Sequence, residues 1–162
     1  MSAIKKVLAA IAFSDYSQGV LNYAALLAKA LGAELVVANV INVRDVQAVE
    51  AIAARGYNLD SGVYVKELKA QNRSLLVDLL KATGFSETEV KMVFKVGHPV
   101  DGLLRIISDE KVDLVVMGIK GRTNLEYALV GSVAEKLFRR SPVTIVSYRD
   151  AKHGQRLLKA MG

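Results

Sequence analysis

The chain has 162 residues, which is the size of a single domain, and its 52% hydrophobic and 23% charged residues are typical of a folded globular protein and exclude a disordered one. It has no cysteine and no apolar run of the roughly 18 residues that a membrane helix needs, so we expect a cytoplasmic protein without disulfides, thiolate metal sites or a cysteine nucleophile. The net charge is +6, but the cations are scattered and only 6% of the residues are aromatic, so nucleic acid is not an expected partner.

The first part of the chain predicts a strand, a helix and a second strand. Residues 7–13 form a continuous apolar run, which is typical of a strand buried on both faces, and residues 35–43 form another. Between them apolar residues recur at helical spacing up to Leu31, and Gly32 follows where a helix end favours glycine.

The rest of the chain continues this alternation. The predicted elements are a helix over 46–54, a glycine-containing loop, a helix over 65–82, an edge-type strand over 90–96, a helix from Pro99, a strand over 112–118, a helix over 132–140 and a strand over 143–148. This order predicts one domain over residues 1–148, an open doubly wound α/β fold with a parallel sheet and helices on both faces. The basic tail, residues 149–162, either adds a short helix or frays.

The motifs of several common enzyme classes are absent from the sequence. No G-x-G-x-x-G follows the first strand and no G-x-x-x-x-G-K-[ST] occurs, which excludes a dinucleotide-type Rossmann domain and a P-loop enzyme. His98 and His153 are the only histidines, and neither lies among carboxylates at metal-ligand spacing. His98 precedes Pro99 at a helix start, which favours a cap position. We therefore predict no catalytic residue and no metal held by protein ligands.

The informative segment is "GIKGRTNLEYALVGS", which runs from the end of the fourth strand into a helix. It contains Gly118-x-x-Gly121, then nine residues, then Gly131-Ser132. Glycines let a backbone approach a ligand closely, and the amides of a helix N-terminus together with a serine hydroxyl bind anions. Lys120 adds positive charge, and ligands bind beyond the carboxyl ends of parallel strands. The segment therefore predicts a phosphate cradle.

The same residues allow a purely structural interpretation. Ser132 and Glu135 have the spacing of an S-x-x-E capping box, in which the serine caps the helix and the glutamate reaches back to the cap residue. Gly118 then only ends a strand. The residue pattern by itself leaves the phosphate cradle and the structural turn equally open.

The glycine pattern, followed by "VAEKLFRRSPVTIV", resembles the carboxyl-terminal signature of the universal stress protein family. The likeness extends over roughly residues 3–148: "YSQGVLNYAALLAKALGAELVVANVI" resembles the family's first helix and second strand, and "GHPVDGLLRIISDEKVDLVVMG" its third helix and fourth strand. It implies an adenine nucleotide α-hydrolase-like fold with a five-stranded parallel sheet in the order 3-2-1-4-5. It also implies a homodimer that pairs through the last strand, here Val143 to Ser147.

Within that family the glycine pattern is associated with members that bind ATP, so the resemblance implies an adenine-nucleotide site. By matching position, Met117 lies near the nucleoside and Val40 offers backbone groups to adenine. Lys120 takes the place of a basic loop residue, and Mg²⁺ fits as a companion of the phosphates. The positions that match the phosphate contacts are Gly118, Gly121, Gly131, Ser132 and Val133.

One implied contact of the nucleotide site is missing. Family members commonly carry Asp-Gly-Ser or Asp-Phe-Ser at the end of the first strand, beside the nucleoside, where this chain has Ala12-Phe13-Ser14. A lost hydrogen bond to a charged group costs about 1.5–3 kcal/mol, which is about ten- to a hundredfold in affinity. Ala12 therefore marks either a tolerated loss or a site retuned to another ligand. We expect Ser14 to cap the first helix.

Three functions are compatible with these residues. The favoured one is a homodimeric, ATP-binding regulatory module of the stress response, in which the nucleotide orders the loop from Gly118 to Gly131. The second, motivated by Ala12, is a dimeric adaptor of the same fold that binds no ATP. The third is a slow nucleotide hydrolase or nucleotidyl transferase, for which the sequence offers no recognisable acid or base.

Overall fold

The computed structural model describes residues 2–119 and 130–162. Strands and helices alternate along them. The strands are β1 (Lys6–Ala10), β2 (Glu34–Asn42), β3 (Lys91–Gly97), β4 (Leu114–Gly118) and β5 (Thr144–Tyr148). The helices are α1 (Ser17–Leu31), α2 (Val43–Ala53), α3 (Ser61–Leu80), α4 (Pro99–Asp109), α5 (Ser132–Arg140) and α6 (Ala151–Ala160).

The five strands form one parallel sheet in the order β3-β2-β1-β4-β5. β1 lies at the centre, with β2 on one side and β4 on the other. The chain therefore winds from β1 toward one edge of the sheet and later returns to the opposite side of β1. In open parallel sheets a ligand crevice forms where the winding reverses in this way. The predicted fold class and strand order are confirmed.

Helices cover both faces of the sheet because successive residues of a strand point to opposite faces. On β1, Val7 and Ala9 pack into the cluster that includes α1 and α3, whereas Leu8 packs into the cluster that includes α4 and α5. All three side chains are fully buried. The continuous apolar run in β1 follows from this arrangement, since neither face of the strand reaches water.

Two helix ends lie where the sequence predicts them. Gly32 ends α1 with a φ of 61°, a left-handed conformation that glycine adopts without strain. At the start of α4, Pro99 is the first helical residue and His98 occupies the cap position. The His98 side chain makes no capping hydrogen bond, so its position is confirmed without a capping contact from the imidazole.

Several element bounds differ from the prediction, and two of the differences have a local cause in the structure. β1 ends at Ala10 rather than at residue 13, because Phe13 has a φ of 53°, which is a left-handed conformation incompatible with a strand. α3 begins at Ser61 rather than at residue 65, because the carboxylate of Asp60 accepts a hydrogen bond from the Val63 N–H at 2.9 Å and caps the helix there.

The basic tail forms the helix α6. It begins after Asp150, whose carboxylate accepts a hydrogen bond from the His153 N–H at 2.7 Å. None of the α6 residues is buried, so this helix lies on the surface. Of the two alternatives for the tail, the structure shows the helix. Among the described helices, none combines the length and the hydropathy that a membrane span requires.

Candidate functional site

A cleft of about 460 Å³ opens at the carboxyl ends of β1, β2 and β4, where the winding of the sheet reverses. Its volume lies in the range of small-molecule sites, about 300–1,000 Å³. Lys120 and Gly121 lie outside the described residues. The predicted site residues that line the cleft are Ala12, Val40, Met117, Gly118, Gly131, Ser132 and Val133.

One end of the cleft, which we call the glycine end, is formed by Gly118, Gly131 and Ser132. Gly118 is the last residue of β4, and Gly131 is the cap residue of α5. The Gly131 N–H donates to the carbonyl of Ile119 at 2.6 Å, which holds the start of α5 against the end of β4. The first amides of a helix have no partner within the helix, and Ser132 and Val133, the first two residues of α5, line the cleft. Backbone donors at such a helix start can bind an anion.

The capping-box alternative for this segment is wrong. The cap residue of α5 is Gly131, so Ser132 is already the first helical residue. The carboxylate of Glu135 pairs with Arg139 one turn further on, at 2.9 Å, instead of reaching back to the helix start. The pairing follows the i, i+4 geometry of a helix surface. Ser132 thus lines the cleft and does not serve as the helix cap.

The other end of the cleft, which we call the amide end, is formed by Asn39 of β2 and Asn72 of α3. Each side chain is only 4% exposed. Asn72 Nδ2 donates to Asn39 Oδ1 at 3.0 Å, and Asn39 Nδ2 donates to the carbonyl of Ile11 at 2.8 Å. This chain of hydrogen bonds ties α3 and β2 to the backbone directly before Ala12, and both amides line the cleft.

Sequence reasoning missed the amide end. Asn39 interrupts the apolar run "LVVANVINV", and a polar residue inside a buried strand is a signal for a buried hydrogen bond. Asn72 lies on a helix 33 residues further along the chain, and no spacing rule connects the two positions. Of the two residues, only Asn39 could therefore have been recognised from the sequence.

The turn between β1 and α1 differs from the prediction at Ser14. Tyr16, not Ser14, is the cap residue of α1. The Ser14 N–H donates to Ser17 Oγ at 2.9 Å, and Ser14 Oγ accepts a hydrogen bond from the Tyr16 N–H at 3.2 Å. The serine therefore closes a turn ahead of the helix. Ala12 precedes this turn and is exposed at the cleft wall.

The backbone of Val40 faces the cleft. In a parallel strand every second residue directs its peptide groups toward the same neighbour. The carbonyl of Ala38 points toward β1, where it accepts the Ile11 N–H at 2.8 Å. The peptide groups of Val40 point the same way, but the pairing of β1 with β2 has ended at Ala10 and Ala38. The Val40 N–H and C=O are therefore directed at the space beyond the end of β1.

The side chain of Val40 is held from the other face of the sheet. It packs against α4 at Gly102, where a Cβ atom would lie only 2.8 Å from Val40 Cγ1. Such a distance is shorter than van der Waals contact, so the absence of a side chain on Gly102 sets how closely α4 approaches β2. Gly102 thereby positions Val40 at the cleft.

No group of three or more His, Cys, Asp or Glu side chains that could hold a metal ion occurs among residues 2–119 and 130–162.

The open parallel sheet, with helices on both faces and a cleft at its winding reversal, places the protein among the doubly wound α/β proteins. The model of the universal stress protein family matches residues 3–149. The chain belongs to the universal stress protein family.

Similar proteins cover nearly the whole chain. Universal stress protein MJ0577 of Methanocaldococcus jannaschii is 28% identical, over 91% of this chain and 97% of that protein. Universal stress protein Rv1636 of Mycobacterium tuberculosis is 29% identical, over 90% of this chain and 97% of that protein. The solved structure of MJ0577 superposes with a TM-score of 0.72 at 26% identity, covering 93% of this chain and 100% of its own. A universal stress protein solved in complex with cAMP has a TM-score of 0.59 at 25% identity, covering 91% and 98%.

Proposed function

We propose that this protein is a regulatory module that binds ATP in the cleft at the ends of β1, β2 and β4 and responds to it as a dimer. The observation that carries the proposal is the division of one cleft into a glycine end with backbone donors and an amide end with buried side chains. A nucleotide has the matching division, with anionic phosphates at one end and a base that forms hydrogen bonds at the other.

The phosphates occupy the glycine end in this proposal. Gly118 and Gly131 leave room for phosphate oxygens, and the first amides of α5, those of Ser132 and Val133, donate to them, with the α5 dipole favouring negative charge. Lys120 and Gly121 complete the proposed phosphate contacts on the grounds of sequence. Mg²⁺ would be held mainly by phosphate oxygens.

The nucleoside occupies the opposite part of the cleft. The peptide groups of Val40 face it, Met117 and Ala12 line it, and the amide end closes it. The similar protein that was solved with cAMP supports an adenine nucleotide as the ligand class. Ala12 removes one expected contact, so we propose a weaker affinity for ATP than an aspartate at this position would give.

The test is calorimetric titration of the purified protein with ATP and Mg²⁺, alongside two variants. Gly131 has φ −67° and ψ 153°, values that valine adopts readily, so Gly131→Val adds a side chain to the glycine end without straining the backbone. We expect this variant to lose ATP binding. Gly154→Val is the matched control, because a Cβ at Gly154 on α6 meets no atom within 4 Å. Ala12→Asp should bind ATP about tenfold more tightly.

The adaptor without ATP is the second candidate, and the exposed Ala12 at the cleft wall favours it. The same titration separates the two functions. No binding by the native protein at millimolar ATP, with binding restored in Ala12→Asp, would establish the adaptor and refute the ATP-binding module.

The dimer is proposed through β5. β5 pairs with β4 alone among the described strands, so one edge of it carries unpaired peptide groups, and such an edge is a template for pairing with another chain. A second copy on this edge would extend the sheet across the dimer. Light scattering of the native protein at micromolar concentration should give the mass of two chains, and the mass of one chain would contradict the proposal.

A further inference from the structure

The orientation of the two buried amides is determined by their partners. The carbonyl of Ile11 can only accept a hydrogen bond, so Asn39 must direct its NH₂ group there, at 2.8 Å. Asn39 Oδ1 is then the acceptor that faces Asn72, and Asn72 must direct its own NH₂ group at it, at 3.0 Å. Asn72 Oδ1 is the acceptor left over. This assignment follows from the network and needs no observed hydrogen atoms.

The acceptor left over on Asn72 faces the cleft. Among residues 2–119 and 130–162 no donor bonds to Asn72 Oδ1, and the one buried side-chain polar atom without a partner is Ser147 Oγ. Asn72 Oδ1 must therefore reach open space although its residue is only 4% exposed. The open space beside Asn72 is the cleft. A nearly buried carbonyl oxygen that points into a cavity is a group prepared for a hydrogen-bond donor on a ligand.

The amide end lies next to the proposed nucleoside contacts. Asn39 directly precedes Val40. Asn39 also donates to the carbonyl of Ile11, the residue directly before Ala12. Tyr64 and Leu68 of α3 also line the cleft, and they lie two turns and one turn before Asn72, respectively. An aromatic ring, an aliphatic side chain and one oriented acceptor suit a flat heteroaromatic base that carries an amino group.

We propose that Asn72 is a specificity-determining residue that selects bases with an amino group at position 6 of the purine, that is adenine over hypoxanthine and guanine. Asn72 Oδ1 accepts from the 6-amino group. A 6-oxo group would place a second acceptor against it and leave both unpaired. The proposal rests on the proposed function, since it assigns the base selectivity of that cleft. In this proposal Asn72 supplies the side-chain hydrogen bond to the base, since the methyl group of Ala12 can form none.

The test compares ATP with ITP, which replaces the 6-amino group by an oxo group, by calorimetric titration. The native protein should bind ATP about tenfold more tightly than ITP, the usual effect of one hydrogen bond with an unpaired alternative. Asn72→Leu, which has a similar shape and no acceptor, should bind the two within about twofold. Asn22→Leu is the matched control, because Asn22 is exposed on α1 and away from the cleft, and it should keep the native ratio.

Two outcomes would overturn the proposal. One is equal binding of ATP and ITP by the native protein. The other is an unchanged ratio in Asn72→Leu, which would assign the selectivity to the Val40 backbone. Asn72→Leu leaves Asn39 Oδ1 without its donor. Thermal denaturation therefore checks whether this variant folds. Asn72→Ala, which leaves room for a water at that oxygen, serves as the second variant.

Titration with adenosine and inosine separates this proposal from the proposed function. If no triphosphate binds but adenosine binds more tightly than inosine in an Asn72-dependent way, the ATP module is refuted and the role of Asn72 stands. If triphosphates bind without regard to position 6, the ATP module stands and the role of Asn72 is refuted. If neither triphosphates nor nucleosides bind, both are refuted.

Discussion

The two ends of the cleft differ in the kind of group that forms them, backbone groups at the glycine end and buried side chains at the amide end. At the glycine end the groups that face a ligand belong to the backbone, and the polar side chain there, Ser132, is exposed. At the amide end the groups are side chains that are 4% exposed and locked by hydrogen bonds to one another. Backbone donors attract any anion of suitable size, whereas one oriented acceptor distinguishes an amino group from an oxo group. The comparison supports our proposals that the glycine end determines affinity and that the amide end determines selectivity.

The largest expected effect is a loss of nucleotide affinity that leaves the ratio of ATP to ITP affinity unchanged. Gly131→Val should weaken ATP and ITP by the same factor, at least about a hundredfold, because the valine side chain occupies the place of a phosphate common to both. Calorimetry with both nucleotides at millimolar concentration measures the two losses. A loss of ATP binding that leaves ITP unaffected would contradict the division of roles between the two ends.

The next effect is on stability and concerns the amide end alone. Asn39→Leu leaves the carbonyl of Ile11 and the NH₂ group of Asn72 without partners in a buried place, so the free energy of unfolding should fall by roughly 2–3 kcal/mol. Urea denaturation measures it. The exposed Asn22→Leu should change the free energy of unfolding by less than about 0.5 kcal/mol. Equal stability of both variants would show that the amide pair does not hold β2 against the end of β1.

The two ends also differ in how far the sequence predicts them. The glycine end is local: β4, Gly118, Gly131 and the start of α5 follow one another along the chain, and turn and helix-start preferences identify them. The order of the strands was available only from the family resemblance, since hydrophobic periodicity locates a strand but does not determine its neighbours. The sequence did identify the alternation of strands and helices.

The amide end and the turn before α1 could not be predicted because they depend on packing. Asn39 and Asn72 meet only after α3 has docked on the sheet. Phe13 adopts its left-handed φ, which ends β1 early, in a region where apolar periodicity predicts that the strand continues. Ser132 and Glu135 have the spacing of a capping box, but α5 begins one residue earlier than that motif requires, with Gly131 as its cap residue. Spacing alone does not reveal such a shift.

A smaller effect tests the position of Val40 between the two ends. Gly102→Ala places a Cβ atom 2.8 Å from Val40 Cγ1, so β2 or α4 must shift. Alanine favours the helix by about 1 kcal/mol over glycine, which offsets the cost of overpacking and should leave overall stability nearly unchanged. The displaced Val40 backbone should cost about 1 kcal/mol of binding, about fivefold in the affinity for ATP by calorimetry. An unchanged affinity would show that Val40 does not contact the ligand.

The smallest expected effect concerns an ion pair that lies outside both ends of the cleft and serves as a control for both. Lys95, which is in register with Val40 on β3, donates to Asp109 of α4 at 2.7 Å. This hydrogen bond, with the lysine charge, lowers the pKa of Asp109 from its ordinary value of 3.8. A carboxyl group whose pKa is lowered by folding stabilises the folded state above its ordinary pKa, and this contribution is lost as the pH falls through the lowered value. The pair is exposed to solvent, so the contribution is small and screened by salt.

Asp109→Asn should therefore be slightly less stable than the native protein at pH 7 in urea denaturation, and the difference should vanish well below pH 3.8 or in about 1 M salt. The ratio of ATP to ITP affinity at pH 7 should stay at the native value, because the pair lies at the β3 edge and does not line the cleft. A changed ratio would mean that the ion pair on the far side of β2 controls the position of Val40. Selectivity would then depend on how β3 and α4 hold β2, and the amide end would not be its sole source.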